Sequence, residues 1–150
     1  MLIFCHRSIL PSTSLATTHA WITGCHALPN NWNFAIELLP TPSSTSTSPR
    51  VIGLIGAVRA PEIGYMLNST YWGKGYATEA LQAFLPLFFG HYQEAEYAEA
   101  LTDPELASSR NVLRKAGFVV VEERKGDFEN PVLGVRDTVV WRIGRGEVTG

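Results

Sequence analysis

The stretch EIGYMLNSTYWGKGYATEALQAFLPLFF (62–89) changes its hydrophobic period part-way along, and this constrains the fold more than any other feature. Over EIGYML (62–67) the side chains of Ile63, Tyr65 and Leu67 alternate, as on one face of a strand. Beyond it, Ala77, Leu81, Phe84, Leu85 and Phe88 recur at helical spacing. A strand therefore feeds a helix through a short connection that carries Gly73, Gly75 and small Ala77. Glycine costs about 1 kcal/mol against alanine inside a helix, so bare backbone at this junction needs a reason. A helix N-terminus offers unpaired N–H groups and the positive end of its dipole. A connection without side chains lets a phosphate come up against those donors. The physical reading is a pyrophosphate cradle with Lys74 at its rim; the ordinary alternative is a tight glycine turn with no ligand. Two common phosphate signatures are absent, since Lys74 is followed by Gly75 rather than Ser or Thr, and Gly73-x-Gly75 is followed by Tyr76, Ala77 and Thr78.

Elements on either side follow the same logic. Leu15, His19, Ile22 and His26 are spaced for a short helix around 13–25, and "ALPNNW" ends it. Phe34, Ile36 and Leu38 alternate in a strand over 33–39. Residues 40–50, PTPSSTSTSPR, read as a flexible loop without core-forming residues. VIGLIGAVR (51–59) is a buried-type strand, and the short Ala60-Pro61 link pairs it with 62–67 as an antiparallel hairpin. Pro86 is expected to kink or shorten the last turn of its helix. EYAEALT (96–102) is a strand. In the next helix Asp103 suits the cap, Pro104 the first helical position, and Gly117 the C-terminal left-handed position. VVVEE (119–123) and DTVVWRI (137–143) are strands, and GDFENPVLGVR (126–136) is a loop or short arm between them. The order is α, β, β, β, α, β, α, β, β, a mixed α/β domain.

The 150 residues fit one domain, read over 1–150 with a variable segment at 1–32. A net charge of −2 leaves no basic excess to neutralise phosphate backbones, which argues against nucleic acid as partner. Cys5 and Cys25 fit no metal or disulfide spacing, and no run approaches the ~18 apolar residues of a membrane span. The first 36 residues lack Asp and Glu and are rich in Ser and Thr, a mild likeness to an organellar transit peptide. One arginine is thin support for it, so a cytoplasmic location is expected.

Taken together, these motifs resemble the GNAT superfamily of acetyl-CoA-dependent N-acetyltransferases, and within it the RimJ/RimL branch. The family's Gln/Arg-x-x-Gly-x-Gly/Ala motif maps onto Trp72-Gly73-Lys74-Gly75-Tyr76-Ala77, with Trp72 in the first place as is usual in this branch. EIGY (62–65) before it and ATEAL (77–81) after it are branch features, SSRNVLRKAGF (108–118) resembles the S-x-x-V-L-x-K-x-G-F segment, and RDTVVWRI (136–143) the final strand. The likeness runs from about Asn33 to Ile143.

The resemblance implies a mixed, mostly antiparallel central sheet flanked by helices, with a shortened N-terminal part. Strands 62–67 and 96–102 should lie side by side and splay, with pantetheine in the opening. The Leu67 N–H is the implied donor to the acetyl carbonyl, and Trp72, Gly73, Lys74, Gly75, Tyr76 and Ala77 the cofactor-binding loop. Glu62 is the implied base and Ser109 the partner of the leaving sulfur, with Tyr97 a weaker substitute. The family's usual tyrosine position holds Leu113, and its pantetheine-binding asparagine position holds Leu106. Arg110, Arg114 and Lys115 are candidates for the ribose 3′-phosphate, with solvated helix charge as the commoner explanation. The implied activity is acetyl transfer from acetyl-CoA, without a metal, to a primary amine (a protein N-terminus or a small amine), by a monomer or homodimer. A degenerate acyl-CoA-binding or interaction module without turnover is the alternative.

Overall fold

A computed structural model describes residues 14–28, 32–40, 42 and 48–148. Most of the 40–50 loop, and the first residues of the chain, lie outside them. The elements are α1 (Leu15–His26), β1 (Trp32–Leu38), β2 (Arg50–Arg59), β3 (Glu62–Leu67), α2 (Tyr76–His91), β4 (Tyr97–Thr102), α3 (Ala107–Lys115), β5 (Val119–Asn130) and β6 (Gly134–Gly144). Among the described residues they build one six-stranded sheet in the order β1-β2-β3-β4-β6-β5. Every neighbouring pair is antiparallel except β3 and β4. The mixed, mostly antiparallel architecture expected from the sequence is the one observed.

The core lies between the sheet and α2. Leu81, Phe84, Leu85, Phe88 and Phe89 are buried against Ile55, Ala57, Ile63, Ala98, Ala100, Val139, Trp141 and Ile143. Each such leucine or phenylalanine contributes about 1.5–3 kcal/mol by leaving water. Trp32 fastens β1 to the far end of α2, stacking on His91 at 4.4 Å and packing against Phe84 at 5.3 Å. Arg145 then secures the C-terminal end of α2. Its guanidinium donates to the Phe89 carbonyl in the last turn of α2 and to the Tyr92, Gln93 and Ala95 carbonyls just beyond it, at 2.8–3.1 Å.

Three local expectations need correction. Pro86 does not shorten α2, which continues to His91. Pro86 and Gln82, whose carbonyl loses its helix donor, are both exposed, which leaves that carbonyl open to solvent. The second correction concerns the start of α3, which is Ala107 rather than Pro104. Asp103 caps a separate turn, accepting from the Glu105 N–H at 2.8 Å, and its carboxylate grips Arg136 through two bonds of 2.7 and 3.0 Å. Burial pushes the Asp103 carboxyl up, but the Arg136 guanidinium and the Glu105 N–H outweigh it and hold the group below the usual carboxylate range. The end of α3 is as expected: Phe118 N–H reaches Leu113 O and Gly117 N–H reaches Arg114 O, the paired bonds of a Schellman motif.

Third, residues 126–136 are mostly strand. The β5–β6 ladder continues through Phe128↔Arg136 to Asn130↔Gly134, and Asn130 Oδ1 closes the tip by accepting from the Val132 and Leu133 N–H groups. Finally, α1 forms where its spacing predicts, with Ser14 Oγ capping Thr17 N–H, yet it buries no side chain and Leu15 is 89% exposed.

Candidate active site

Strands β3 and β4 meet in parallel at a single register pair, Glu62↔Glu99, beside a Glu99 N–H to Pro61 O bond of 2.8 Å. Past that point no ladder joins them, so the sheet opens toward Leu67. On its other side β3 stays paired with β2 up to Gly53↔Leu67. The Asn68 N–H donates to Ile52 O on β2 at 2.8 Å. Successive N–H groups along a strand point to opposite edges, so the Leu67 N–H faces the β4 side, into the opening. The Leu67 carbonyl on that side is taken by the Trp72 indole N–H at 2.7 Å. Leu67 thus brings an amide donor to the gap while its carbonyl is already satisfied.

The chain then leaves β3 through a short 3-10 turn, Ser69–Tyr71, which Asn68 caps at its side-chain oxygen. It enters α2 through Gly73 and Gly75, whose φ angles are +73° and +88°. Their left-handed backbone costs an L-residue roughly 1–2 kcal/mol, which is why glycine stands at both positions. A Cβ at either would meet nothing within 4 Å. The glycines therefore serve the turn, and they also leave open the approach to the helix end. Gly75 caps α2 without a side-chain bond, so the N–H groups of Tyr76, Ala77 and Thr78 open the helix with no carbonyl behind them.

These features share one cavity of about 370 Å³. Tyr65, Met66 and Leu67 line it from β3, and Tyr71, Trp72, Gly73, Gly75, Tyr76, Ala77 and Thr78 from the connection and first turn of α2. Leu106, Ser108, Ser109, Asn111, Val112 and Lys115 close it from the α3 side. Of the residues named from sequence, the cavity gathers Leu67, Trp72, Gly73, Gly75, Tyr76, Ala77 and Ser109. Lys74 does not line it; its Nζ lies 5.6 Å from the centre of the Tyr71 ring.

Glu62 also lies apart, at the joined end of the strands beside Glu99. Its side chain is 38% exposed and 3.7 Å from Arg59, while Glu99 is held by Arg142 at 2.8 Å. Tyr97 lies under the Arg142 guanidinium rather than in the cavity. Of the three α3 cations only Lys115 lines the cavity, and Arg110 turns back to the Pro104 carbonyl.

Sequence reasoning missed Tyr65 and Asn111 as cavity residues. Tyr65 Oη stands 2.9 Å from Ser109 Oγ and 3.3 Å from Ser109 O, joining β3 to α3 across the opening. A separation of 44 residues leaves no local signal for that contact.

The cavity suits an elongated ligand with an anionic end: amide donors at the glycine mouth, one cation in Lys115, and an apolar path past Leu106 and Val112 to the gap. Comparison with known proteins decides the family. Residues 5–119 match the family model of the acetyltransferase (GNAT) domain. The chain belongs to the GNAT acetyltransferases.

Among solved structures, a GNAT-family acetyltransferase from Bacillus anthracis is similar at a TM-score of 0.68 and 23% identity, over 87% of this chain and 74% of that one. A Vibrio cholerae spermidine N-acetyltransferase in complex with CoA and spermine has a TM-score of 0.69 at 14% identity, over 93% and 80% of the two chains. A ribosomal-protein-S5-alanine acetyltransferase from Vibrio fischeri has a TM-score of 0.57 at 24% identity, over 67% and 58%. At these identities the likeness is one of fold. The uncharacterized protein YkkB of Bacillus subtilis is 45% identical over 57 residues, which are 38% of this chain and 33% of YkkB. Among the described residues no helix is long and apolar enough to cross a membrane.

Proposed function

We propose that this GNAT chain is an acetyl-CoA-dependent N-acetyltransferase of the RimJ/RimL type, acting on a primary amine. The observation that carries the reading is the Leu67 N–H turned into the strand opening, in the same cavity as the glycine mouth of α2. When bound, acetyl-CoA supplies an acetyl thioester that an amine attacks directly. The N–H groups at the start of α2 hold its pyrophosphate, and Gly73 and Gly75 keep that mouth clear. Leu67 offers a fixed amide dipole to the acetyl oxygen, which costs no reorganisation when charge develops there. Ser109 Oγ holds a proton toward the sulfur, and Glu62 takes one from the incoming ammonium through water. The acceptor is a protein N-terminus or a small amine, both represented among the acetyltransferases of similar fold.

The test is thermal melting with acetyl-CoA, CoA and ATP, followed by thiol release with polyamines and N-terminal peptides. A ligand at ~100 times its Kd stabilises the fold by about 2.7 kcal/mol. For a chain of this size that is a rise of roughly 5–10 °C. A rise with both CoA forms and not with ATP supports the cradle, and release with an amine supports turnover. A specific residue favours the second reading, a CoA-binding module without turnover: Leu106 lines the cavity and offers no hydrogen bond there. A melting shift with no thiol release from any amine selects that module.

A further inference from the structure

Three carbonyls follow the Leu67 N–H as β3 runs into its turn, and each has a donor. Asn68 O accepts from the Tyr71 N–H at 2.9 Å and Ser69 O from the Trp72 N–H at 3.1 Å, both within the backbone of the turn. Leu67 O lies one residue before that turn, and a side chain serves it instead: the Trp72 indole Nε1–H, at 2.7 Å. Its position gives that bond a consequence. A strand residue's own N–H and C=O leave on the same edge, so both Leu67 groups face the opening where β4 has parted from β3. An acyl oxygen that accepts from the Leu67 N–H therefore comes to rest beside the Leu67 carbonyl oxygen. Two oxygens of partial negative charge repel, and more so as the acyl oxygen gains charge. Leu67 is buried, so water screens that repulsion little. The indole hydrogen lies against Leu67 O and offsets its charge. The same bond occupies the one donor that an indole has, so the Trp72 side chain brings none to a phosphate.

We propose that Trp72 is a positioning residue for acyl transfer: its indole N–H masks the Leu67 carbonyl and leaves the Leu67 N–H as the polar group that the acetyl oxygen meets. This rests on the acetyltransferase reading above. It gives Trp72 a task apart from holding the cofactor, because a cofactor contact acts on CoA and acetyl-CoA alike and a masked carbonyl acts on the acetyl group alone.

The test uses Trp72→Phe, which keeps an aromatic ring and removes the N–H. Titration calorimetry compares acetyl-CoA with CoA, and infrared spectroscopy follows the carbonyl stretch of bound acetyl-CoA, isotope-labelled at the acetyl carbonyl. Trp72→Phe should weaken acetyl-CoA about fivefold, the weight of one hydrogen bond, and leave CoA affinity unchanged. The stretch should move to higher frequency in the variant, since a bare carbonyl beside the acetyl oxygen works against its polarisation. The wild type gives an independent reading by NMR: the Trp72 indole hydrogen should exchange slowly with solvent, with and without CoA. Rapid exchange in the free protein would show that the indole does not hold Leu67 O and would overturn the proposal. Equal weakening of both ligands by Trp72→Phe would make Trp72 a cofactor contact and overturn it too, as would an unchanged carbonyl stretch. A wild type that binds both ligands, with Trp72→Phe behaving the same, would refute the proposal alone. A wild type that binds neither would refute the acetyltransferase reading and the proposal with it.

Discussion

Replacing Gly75 separates three effects that one glycine combines, and the variants Gly75→Ala, Gly75→Gln and Gly75→Glu resolve them. At φ +88° any side chain pays the left-handed penalty of about 1–2 kcal/mol, so all three should lose roughly 2–8 °C of melting temperature. Crowding adds nothing for alanine, since a Cβ there meets no atom within 4 Å. Acetyl-CoA affinity should then fall in steps. Alanine barely obstructs the mouth, glutamine fills it, and glutamate places an anion where the pyrophosphate is held. Like charges 4 Å apart repel by about 1 kcal/mol in water and about 4 kcal/mol at the effective dielectric near a protein surface. With a factor of ten for every ~1.4 kcal/mol, the glutamate variant should bind from about fivefold to several hundredfold more weakly than the glutamine variant. Calorimetry in low and high salt measures this, and the gap should shrink with added salt. Equal affinities for glutamate and glutamine would show that no phosphate sits at the glycine mouth. An unchanged melting temperature in all three variants would refute the left-handed geometry of Gly75 itself.

Three further outcomes test the proposed base and two pairings seen in the structure. Glu62→Gln should lower kcat by about 10²-fold or more and leave acetyl-CoA affinity unchanged, and full activity across pH would remove Glu62 as the base. Arg145→Ala should destabilise the fold by about 1–2 kcal/mol by freeing the carbonyls at the end of α2, seen as a melting shift of roughly 2–8 °C. The pH dependence of stability tests Asp103. Its folded carboxyl titrates below the unfolded one, so its contribution is complete above pH ~4 and is lost as pH falls through the folded value. Asp103→Asn should therefore melt lower at pH 7 and lose less than the wild type on acidification, and parallel acid profiles would refute the pairing with Arg136.

The strands and α2 could be read from the sequence because their apolar spacing and their burial coincide: Ile63 and Leu67 alternate and are buried, and Leu81, Phe84, Leu85 and Phe88 do the same at helical spacing. Where the two part company, the pattern misleads. The arm residues 126–136 lack a clean apolar alternation, because their ladder is held by backbone bonds and by Asp137 reaching Lys125 and the Gly126 N–H. Asp103 and Pro104 look like a helix start, yet the helix waits for Ala107 because Asp103 is engaged by Arg136, 33 residues away. At the site, the glycine loop was legible because it is contiguous. The Tyr65–Ser109 contact was not, since only the packing of α3 over the strand opening brings the two together.

The donor that Leu67 brings to the opening belongs to the main chain, and this makes the site obey parity rather than identity. Its aim is fixed by an odd or even count along β3 from the Pro61 corner, where Glu99 is joined, to Asn68, where Ile52 is. Exchanging Leu67 for another apolar residue keeps the count and should keep the donor. Removing one residue between Glu62 and Leu67 keeps nearly all of the composition, but it turns the N–H toward β2 and brings a carbonyl-to-amide mismatch into the ladder. Chemistry written this way leaves little trace in which amino acid stands at the position, and a strong one in how many residues precede it.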